Sequence, residues 1–372
     1  MKHQKTNVER REFLGLSAAL LGTAALGIGG CASPFSKKSA NTASSGDKEG
    51  IVITDQAGRT TTFKEAPKRI CTCIIPLPSI FFAVMGEDNP LIVGCNPASL
   101  PVYKRGTLEA MYPSLAQANT DWCARDFNVN IEALLALKPD VVFQWTFMPE
   151  SIKKMEDAGL KVIALKYGTV DDLKTWITVL STLMQKKERG TKLLSYFDKE
   201  ISRVSERIAT VPKSEWPVAL HVTNSLKVMG KGFTSYLMDQ SGAIDPTRDM
   251  GERQVSVNME QVMQWNPQFI FVGNFNPIKA SDFYNNTFPG QDWSHIPAVQ
   301  NKHVYRFPVG GFPWDPPCVE SPLTVKWLAH LMHPELFKDM NMRAEVSQFY
   351  KDIYNYYLTE EQITKLLDHT QD

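Results

Sequence analysis

The sequence has no excess of either charge: 40 basic and 40 acidic side chains cancel across 372 residues. A nucleic-acid partner needs a basic stripe or domain, and none is present. Histidine is sparse, at seven residues, with no His-rich loop. The HExxH pair of zinc hydrolases, the GxSxG turn of serine hydrolases and the phosphate-binding P-loop are all missing. His330 and His333 have a spacing that could share a metal, but they fall where a helix ends at Pro334, an ordinary place for solvated histidines. No cysteines stand in paired CxxC units, the usual framework of structural zinc. No catalytic or metal-ligand set is therefore assigned, and an exported metal-dependent enzyme stands only as the alternative of a different class. Beyond the first thirty residues, no apolar run reaches the ~20 residues that span a bilayer.

What is there begins with an address. Lys2, Lys5, Arg10 and Arg11 precede an apolar or small run from Leu14 to Ile28, right for a signal peptide and too short for a permanent span. The run ends in Ile28-Gly29-Gly30-Cys31, which resembles the lipobox of bacterial lipoproteins. The resemblance implies that residues 1–30 are a signal peptide and that the Cys31 thiol carries lipid, anchoring an exported chain at the periplasmic or extracellular face of the cell membrane. Arg10-Arg11-Glu12-Phe13-Leu14 is similar to the twin-arginine export motif, with Glu9 in place of the usual Ser or Thr and Gly15 in place of the frequent Lys. The twin-arginine and general secretory routes both stay open. Residues 31–50 hold almost nothing large enough to bury and read as a flexible tether.

With Cys31 assigned to lipid, Cys71, Cys73, Cys95, Cys123 and Cys318 remain, an odd number that leaves at least one unpaired. Buried small hydrophobes are the expected role. A Cys73–Cys95 bridge stays open if their strands are neighbours.

The mature chain contains an internal echo. Residues 129–143 read VNIEALLALKPDVVF and residues 257–271 read VNMEQVMQWNPQFIF. In both, an Asn is placed to cap a helix and a Glu falls in the first turn, where the helix dipole favours negative charge. Leu134, Leu135 and Leu137, or Val262, Met263 and Trp265, supply an apolar face, a proline ends the helix, and an apolar strand follows. Helix leading into buried strand is α/β grammar, and its recurrence points to two similar lobes. Further strands are expected at Arg69–Ile75, Leu91–Gly94, Lys161–Leu165, Val218–Val222, Lys227–Met229 and His303–Phe307. Between the halves, helical spacing runs from Leu173 to Ile208, with a break expected near Lys187–Thr191 at Gly190. The organisation is then an N-terminal lobe over 51–170, a bridging helical segment over 171–212 and a C-terminal lobe with terminal helices over 213–372.

Over residues 51–357 the chain resembles the binding proteins of ABC importers for iron–siderophore complexes, haem and cobalamin. The carriers are Asp55-Gln56-Ala57-Gly58-Arg59 with Pro67-Lys68-Arg69-Ile70, then Asn130-Ile131-Glu132 through Lys138-Pro139-Asp140, the counterpart at Glu260, and the run Trp293–Phe307. The resemblance implies two Rossmann-like α/β lobes bridged by one long α-helix, the class III binding-protein architecture. It implies no chemistry of the chain's own and no intrinsic cofactor: the protein captures an iron-siderophore-type chelate between its lobes and delivers it to a permease powered by an ATPase. Haem, a corrinoid or an oxyanion such as molybdate are the alternatives. A purely structural lipoprotein would leave the echo unexplained. Glu132 and Glu260 match the acidic residues that dock on the permease. Asp126 and Gln254 stand where cobalamin-binding relatives carry a ligand-contacting Trp, so that pattern is not reproduced. Arg125, Phe127 and Arg253 beside them, with Trp145, Tyr167, Trp314 and Asp315, complete the ligand candidates; guanidinium forks suit anionic groups and rings suit a flat body. Each is also readable alone as surface charge or core packing. A stiff bridge implies a small closure on binding.

Overall fold

The computed structural model describes residues 50–251 and 254–368. The signal segment, Cys31, the tether and Arg253 lie outside the described residues. A hairpin of β1 (Ile51–Thr54) and β2 (Thr60–Phe63) opens the described chain. Asp55 closes its turn by accepting the backbone N–H groups of Ala57 and Arg59, and Gly58 supplies the left-handed φ of 76°.

The first large sheet is parallel: β3 (Ile70–Thr72), β4 (Ile92–Cys95), β5 (Val141–Trp145) and β6 (Val162–Leu165), in the order β4-β3-β5-β6. Its strands are apolar nearly throughout because both faces are covered. The second sheet holds β7 (Ala219–Asn224), β8 (Lys227–Met229), β9 (Gln254–Ser256), β10 (Phe269–Val272) and β11 (Val304–Arg306), in the order β11-β10-β7-β8-β9. Strands β11, β10 and β7 run parallel; β8 and β9 turn antiparallel. In both sheets the first strand's connection leaves toward one side and the later strand's toward the other. The crevices between β3 and β5 and between β7 and β10 are therefore topological switch points, open at the carboxyl ends of the strands.

The two echo segments fold alike. Asn130 Oδ1 accepts the N–H of Ala133 at 3.1 Å to open the helix Ile131–Ala136. Asn258 and Gln261 exchange bonds of 2.8 and 3.1 Å to open the helix Met259–Trp265. Lys138 and Asn266 then take φ of 48° and 50° just before the prolines. The expected apolar faces are narrower than the sequence implied. Leu134 and Val262 are buried, whereas Leu135 and Met263 are 42% and 51% exposed. Adjacent positions on a helix point about a quarter-turn apart and cannot both face the core.

The bridge is a helical hairpin rather than one broken helix. Thr169 and Asp172 form a capping box for the helix Val170–Leu183, the chain reverses at Met184–Lys186 with Gln185 at φ 56°, and a second helix runs from Lys187 to Ile208. Lys174 pairs with Asp198 at 2.5 Å, the register of antiparallel neighbours. Gly190 does not break the second helix. It is buried where the two helices touch, and a β-carbon there would collide with Ser181. The bridge proper is the 22-residue second helix, about 33 Å long. Near its start Arg189 donates to the carbonyl of Ala83 at 3.0 Å, and farther along Glu200 pairs with Lys326 at 2.6 Å. Lys326 lies on the helix Ser321–Met332 and also meets Glu345.

Strands β3 and β4 are neighbours, yet Cys73 and Cys95 do not bridge. Cys95 is in register with Thr72, which turns it to the face opposite Cys71 and Cys73. All five described cysteines are free and buried.

Candidate functional site

A cavity of about 380 Å³ lies where the two switch points face each other. Ile75 and Pro76 follow β3 into it, Trp145 and Phe147 come from the end of β5, and Tyr167 from beyond β6. Across the cleft, His221 and Thr223 belong to β7, Gly273 and Phe275 follow β10, and Phe312 and Asp315 come from the loop beyond β11. The rings form a continuous wall. Trp145 stacks on Phe147 at 5.9 Å and meets Tyr167 and Phe127 edge-on at 5.7 and 6.3 Å. Phe275 lies 6.4 Å from Phe312 on the other side.

Few polar groups interrupt this wall, and two lack protein partners. The indole N–H of Trp145 and Nε2 of His221 are buried without a hydrogen bond among the described residues. Burial pushes the His221 imidazole down to about 3, so the ring is neutral at physiological pH, with Nδ1 held 3.1 Å from Thr234 Oγ1. Asp315 is also buried, which pushes its carboxyl up, while bonds from the Asn274 backbone and side chain partly offset that. A β-carbon on Gly273 would sit 3.1 Å from His221 Nε2 and 3.3 Å from Asp315 Oδ2. The bare glycine backbone lets both groups share one corner of the cavity. Arg105 and Arg306 stand behind it, but both direct N–H groups to backbone carbonyls, Arg105 to Asn274 and Arg306 to Asn276. Among the described residues, no three His, Cys, Asp or Glu side chains converge as metal ligands.

A second compartment of about 660 Å³ shares Phe147, Tyr167 and Met229 with the first. The helix Phe233–Gln240 starts at its wall from Gly232, with no side-chain cap. Lys166 and Lys231 line it without an ion-pair partner among the described residues, while Arg248 is paired with Asp239 at 3.4 Å.

Of the residues expected from sequence, Phe127, Trp145, Tyr167, Gln254 and Asp315 line the first compartment. Phe127 reaches it from a turn with φ of 73°. Arg125 and Asp126 are exposed and line neither compartment; Asp126 instead accepts the backbone and side-chain N–H groups of Asn128. Trp314 corrects the expectation. Its ring is wholly buried and its indole N–H donates to Glu320 at 2.6 Å, so it packs the loop that presents Phe312 and Asp315. His333 Nε2 lies 2.8 Å from the carbonyl of Gly242. His221, Thr223, Phe147 and Phe275 were not expected. The last two were within reach: the offset of 128 that relates the echo segments, carried four residues past Phe143 and Phe271, pairs Phe147 with Phe275.

Glu132 and Glu260 are exposed in the first turns of the capped helices, with no ion-pair partner among the described residues. Three residues along, exposed Leu135 and Met263 occupy equivalent positions, so each half of the molecule presents the same acidic and apolar pair.

A model of the family described as periplasmic binding protein matches residues 86–309. The structure of a periplasmic solute binding protein from Veillonella parvula superposes with a TM-score of 0.77 at 33% identity, over 85% of this chain and 96% of that one. The molybdate-binding protein MolA of Haemophilus influenzae is 28% identical, over 82% of this chain and 90% of its own. Its molybdate-bound structure superposes with a TM-score of 0.68, over 83% of this chain and 99% of that one. The uncharacterized ABC transporter substrate-binding lipoprotein YvrC of Bacillus subtilis is 24% identical, over 87% of this chain and 98% of its own.

Proposed function

We propose that this chain, which belongs to the periplasmic binding protein family, serves its ABC importer by capturing an iron-siderophore-type metal chelate with a flat or apolar body in the cleft between its two sheets. The observation that carries the reading is the ring wall of Phe127, Trp145, Phe147 and Tyr167, faced by Phe275 and Phe312. Such a wall gains free energy from apolar surface and from the flat faces of a ligand. The neutral imidazole of His221 and the indole N–H of Trp145 are fixed points for orienting it. Lys166 and Lys231 in the adjoining compartment suit an anionic periphery. Haem or a corrinoid would use the same wall.

A bare oxyanion is the second reading. The molybdate-binding relative favours it, as does the uncapped helix start in the compartment that Lys166 and Lys231 line. Against it, the first compartment is mostly ring surface and includes the Asp315 carboxylate. Glu132 and Glu260 are the proposed contacts to the permease, and Cys31 the proposed lipid anchor.

A thermal-shift panel on the chain lacking its first 31 residues tests the ligand class, with ferric siderophores, haem, cobalamin, molybdate, tungstate and free divalent metals. A ligand at about a hundred times its Kd adds roughly 2.7 kcal/mol of stability. A shift with a chelate supports the reading. A shift with oxyanions alone replaces it with the second reading, and a shift with bare zinc or manganese alone overturns both.

A further inference from the structure

Four of the five described cysteines are buried on or beside the first sheet, and the transport reading uses none of them. Cys73 follows β3 directly, its N–H donating to the carbonyl of Phe143 at 2.9 Å, and the chain then supplies Ile75 and Pro76 to the cavity. Cys123 opens a turn closed by its bridge to Val129, and that turn carries Phe127 to the same cavity. Both thiols lie in one buried cluster, and Gln144, next after the Phe143 that receives the Cys73 N–H, donates its side-chain amide to the Phe127 carbonyl at 2.9 Å, which holds the turn over Cys73. The Asn96 amide also approaches Cys123 Sγ, at 3.6 Å, and holds the adjoining Ala124 carbonyl at 3.1 Å.

The other thiols are placed differently. Cys95 is on the opposite face of the sheet, Cys71 packs over Gly94, and Cys318 sits in a separate cluster with Val102 and Phe312.

We propose that Cys73 and Cys123 are a modification site: they form a reversible disulfide that staples the end of β3 to the turn carrying Phe127. The oxidant is a disulfide, either a small molecule such as glutathione disulfide or a protein oxidase of the thiol–disulfide class. One protein thiolate attacks a sulfur of the oxidant and expels the first thiol, giving a mixed disulfide. The second protein thiolate then displaces the remaining sulfur. The new S–S bond forms as the oxidant's bond breaks, and two electrons and two protons pass from the protein to two product thiols. Burial raises the Cys73 thiol well above its ordinary range, so exchange needs the 123–129 turn to open or takes place during folding. The bond ties the segments that bear Ile75, Pro76 and Phe127 to each other directly, so it fixes one wall of the ligand cavity.

The test exposes the full chain to glutathione disulfide, both in the native state and during refolding from urea. Free thiols are then alkylated and the unreduced digest is mapped by mass spectrometry. The expected product is a cross-linked peptide pair containing Cys73 and Cys123, formed equally in Cys95→Ser and absent from Cys123→Ser. Its formation should raise the melting temperature by several degrees, and a thiol reductant should reverse the rise. Recovery of both residues fully alkylated under both conditions overturns the proposal, as does a dominant link through Cys71 or Cys95. These readouts use no ligand, so the proposal can fail while the transport reading stands.

Discussion

Glu320 is a carboxyl with no access to solvent, and its pH response is a sharp test of the loop that borders the cleft. Its Oε1 accepts the Gly311 N–H at 2.7 Å and the Tyr354 and Tyr350 hydroxyls at 3.1 and 3.3 Å; its Oε2 accepts the Trp314 indole at 2.6 Å. These donors favour the charged form, but desolvation is larger and pushes the carboxyl from 4.5 up to about 7. A carboxyl raised on folding contributes stability below its unfolded value and loses that contribution as pH climbs through its folded value. The window here runs from pH 4.5 to about 7, and at 1.36 kcal/mol per unit the loss is roughly 3 kcal/mol. Glu320→Gln removes the titration and keeps the shape. Urea unfolding of both proteins from pH 4.5 to 8, taken as a difference, cancels the groups they share. The wild type should lose roughly 3 kcal/mol relative to the variant as pH rises, then level off. Parallel curves would refute the reasoning: they would mean that the four donors outweigh burial and that Glu320 is ionised throughout.

Gly190→Ala should destabilise the protein by about 1–3 kcal/mol through overpacking against Ser181, although alanine is the better helix former by about 1 kcal/mol; a rise in melting temperature would sink the close-approach account. Trp145→Phe keeps a ring and deletes the unpartnered N–H, so binding of the ligand found by the thermal-shift panel should weaken about tenfold in titration calorimetry, the worth of roughly one hydrogen bond. Unchanged affinity would remove that N–H from the contact set. Glu132→Ala and Glu260→Ala should each lower uptake with ligand affinity intact and stability changed by no more than about 1 kcal/mol; undiminished uptake at low protein concentration would end the docking proposal. Ligand should leave the radius of gyration in solution scattering nearly unchanged, because the bridging helix is bonded near one end to Ala83 and along its length to Lys326. A large drop would show a wide hinge.

Local pattern made much of this molecule readable in advance. Asn-x-Glu followed by an apolar helix, a proline and an apolar strand is a self-contained instruction: cap, dipole partner, stop and burial all act within fifteen residues. Its repetition was enough to expect two similar α/β lobes, and most strands fall where apolar runs placed them. The misses have physical causes as well. Strands β1, β2 and β9 are three or four residues long with few buried side chains, too short for a pattern to register. A glycine in helical spacing looks like a break whether it ends a helix or lets two helices touch, and only the position of Ser181 opposite Gly190 decides between them.

The cavity between the sheets divides in the same way. Phe127, Trp145, Tyr167, Gln254 and Asp315 line the cavity as expected because they lie next to strand ends and echo helices. Trp314 has an equally inviting place in sequence, but a buried carboxylate six residues later, Glu320, takes its N–H and turns the ring into the core. His221 is the converse. Within an apolar strand it reads as a satisfied core residue, and only the meeting of β7 with Gly273 and Asp315 leaves its Nε2 without a partner at the cleft. The sequence by itself determined the elements and their duplication, because caps, dipoles and burial periodicity are short-range. Which side chains share the cavity, and in what ionisation state, depends on residues up to about 240 positions apart meeting across two sheets, and only the tertiary structure brings them together.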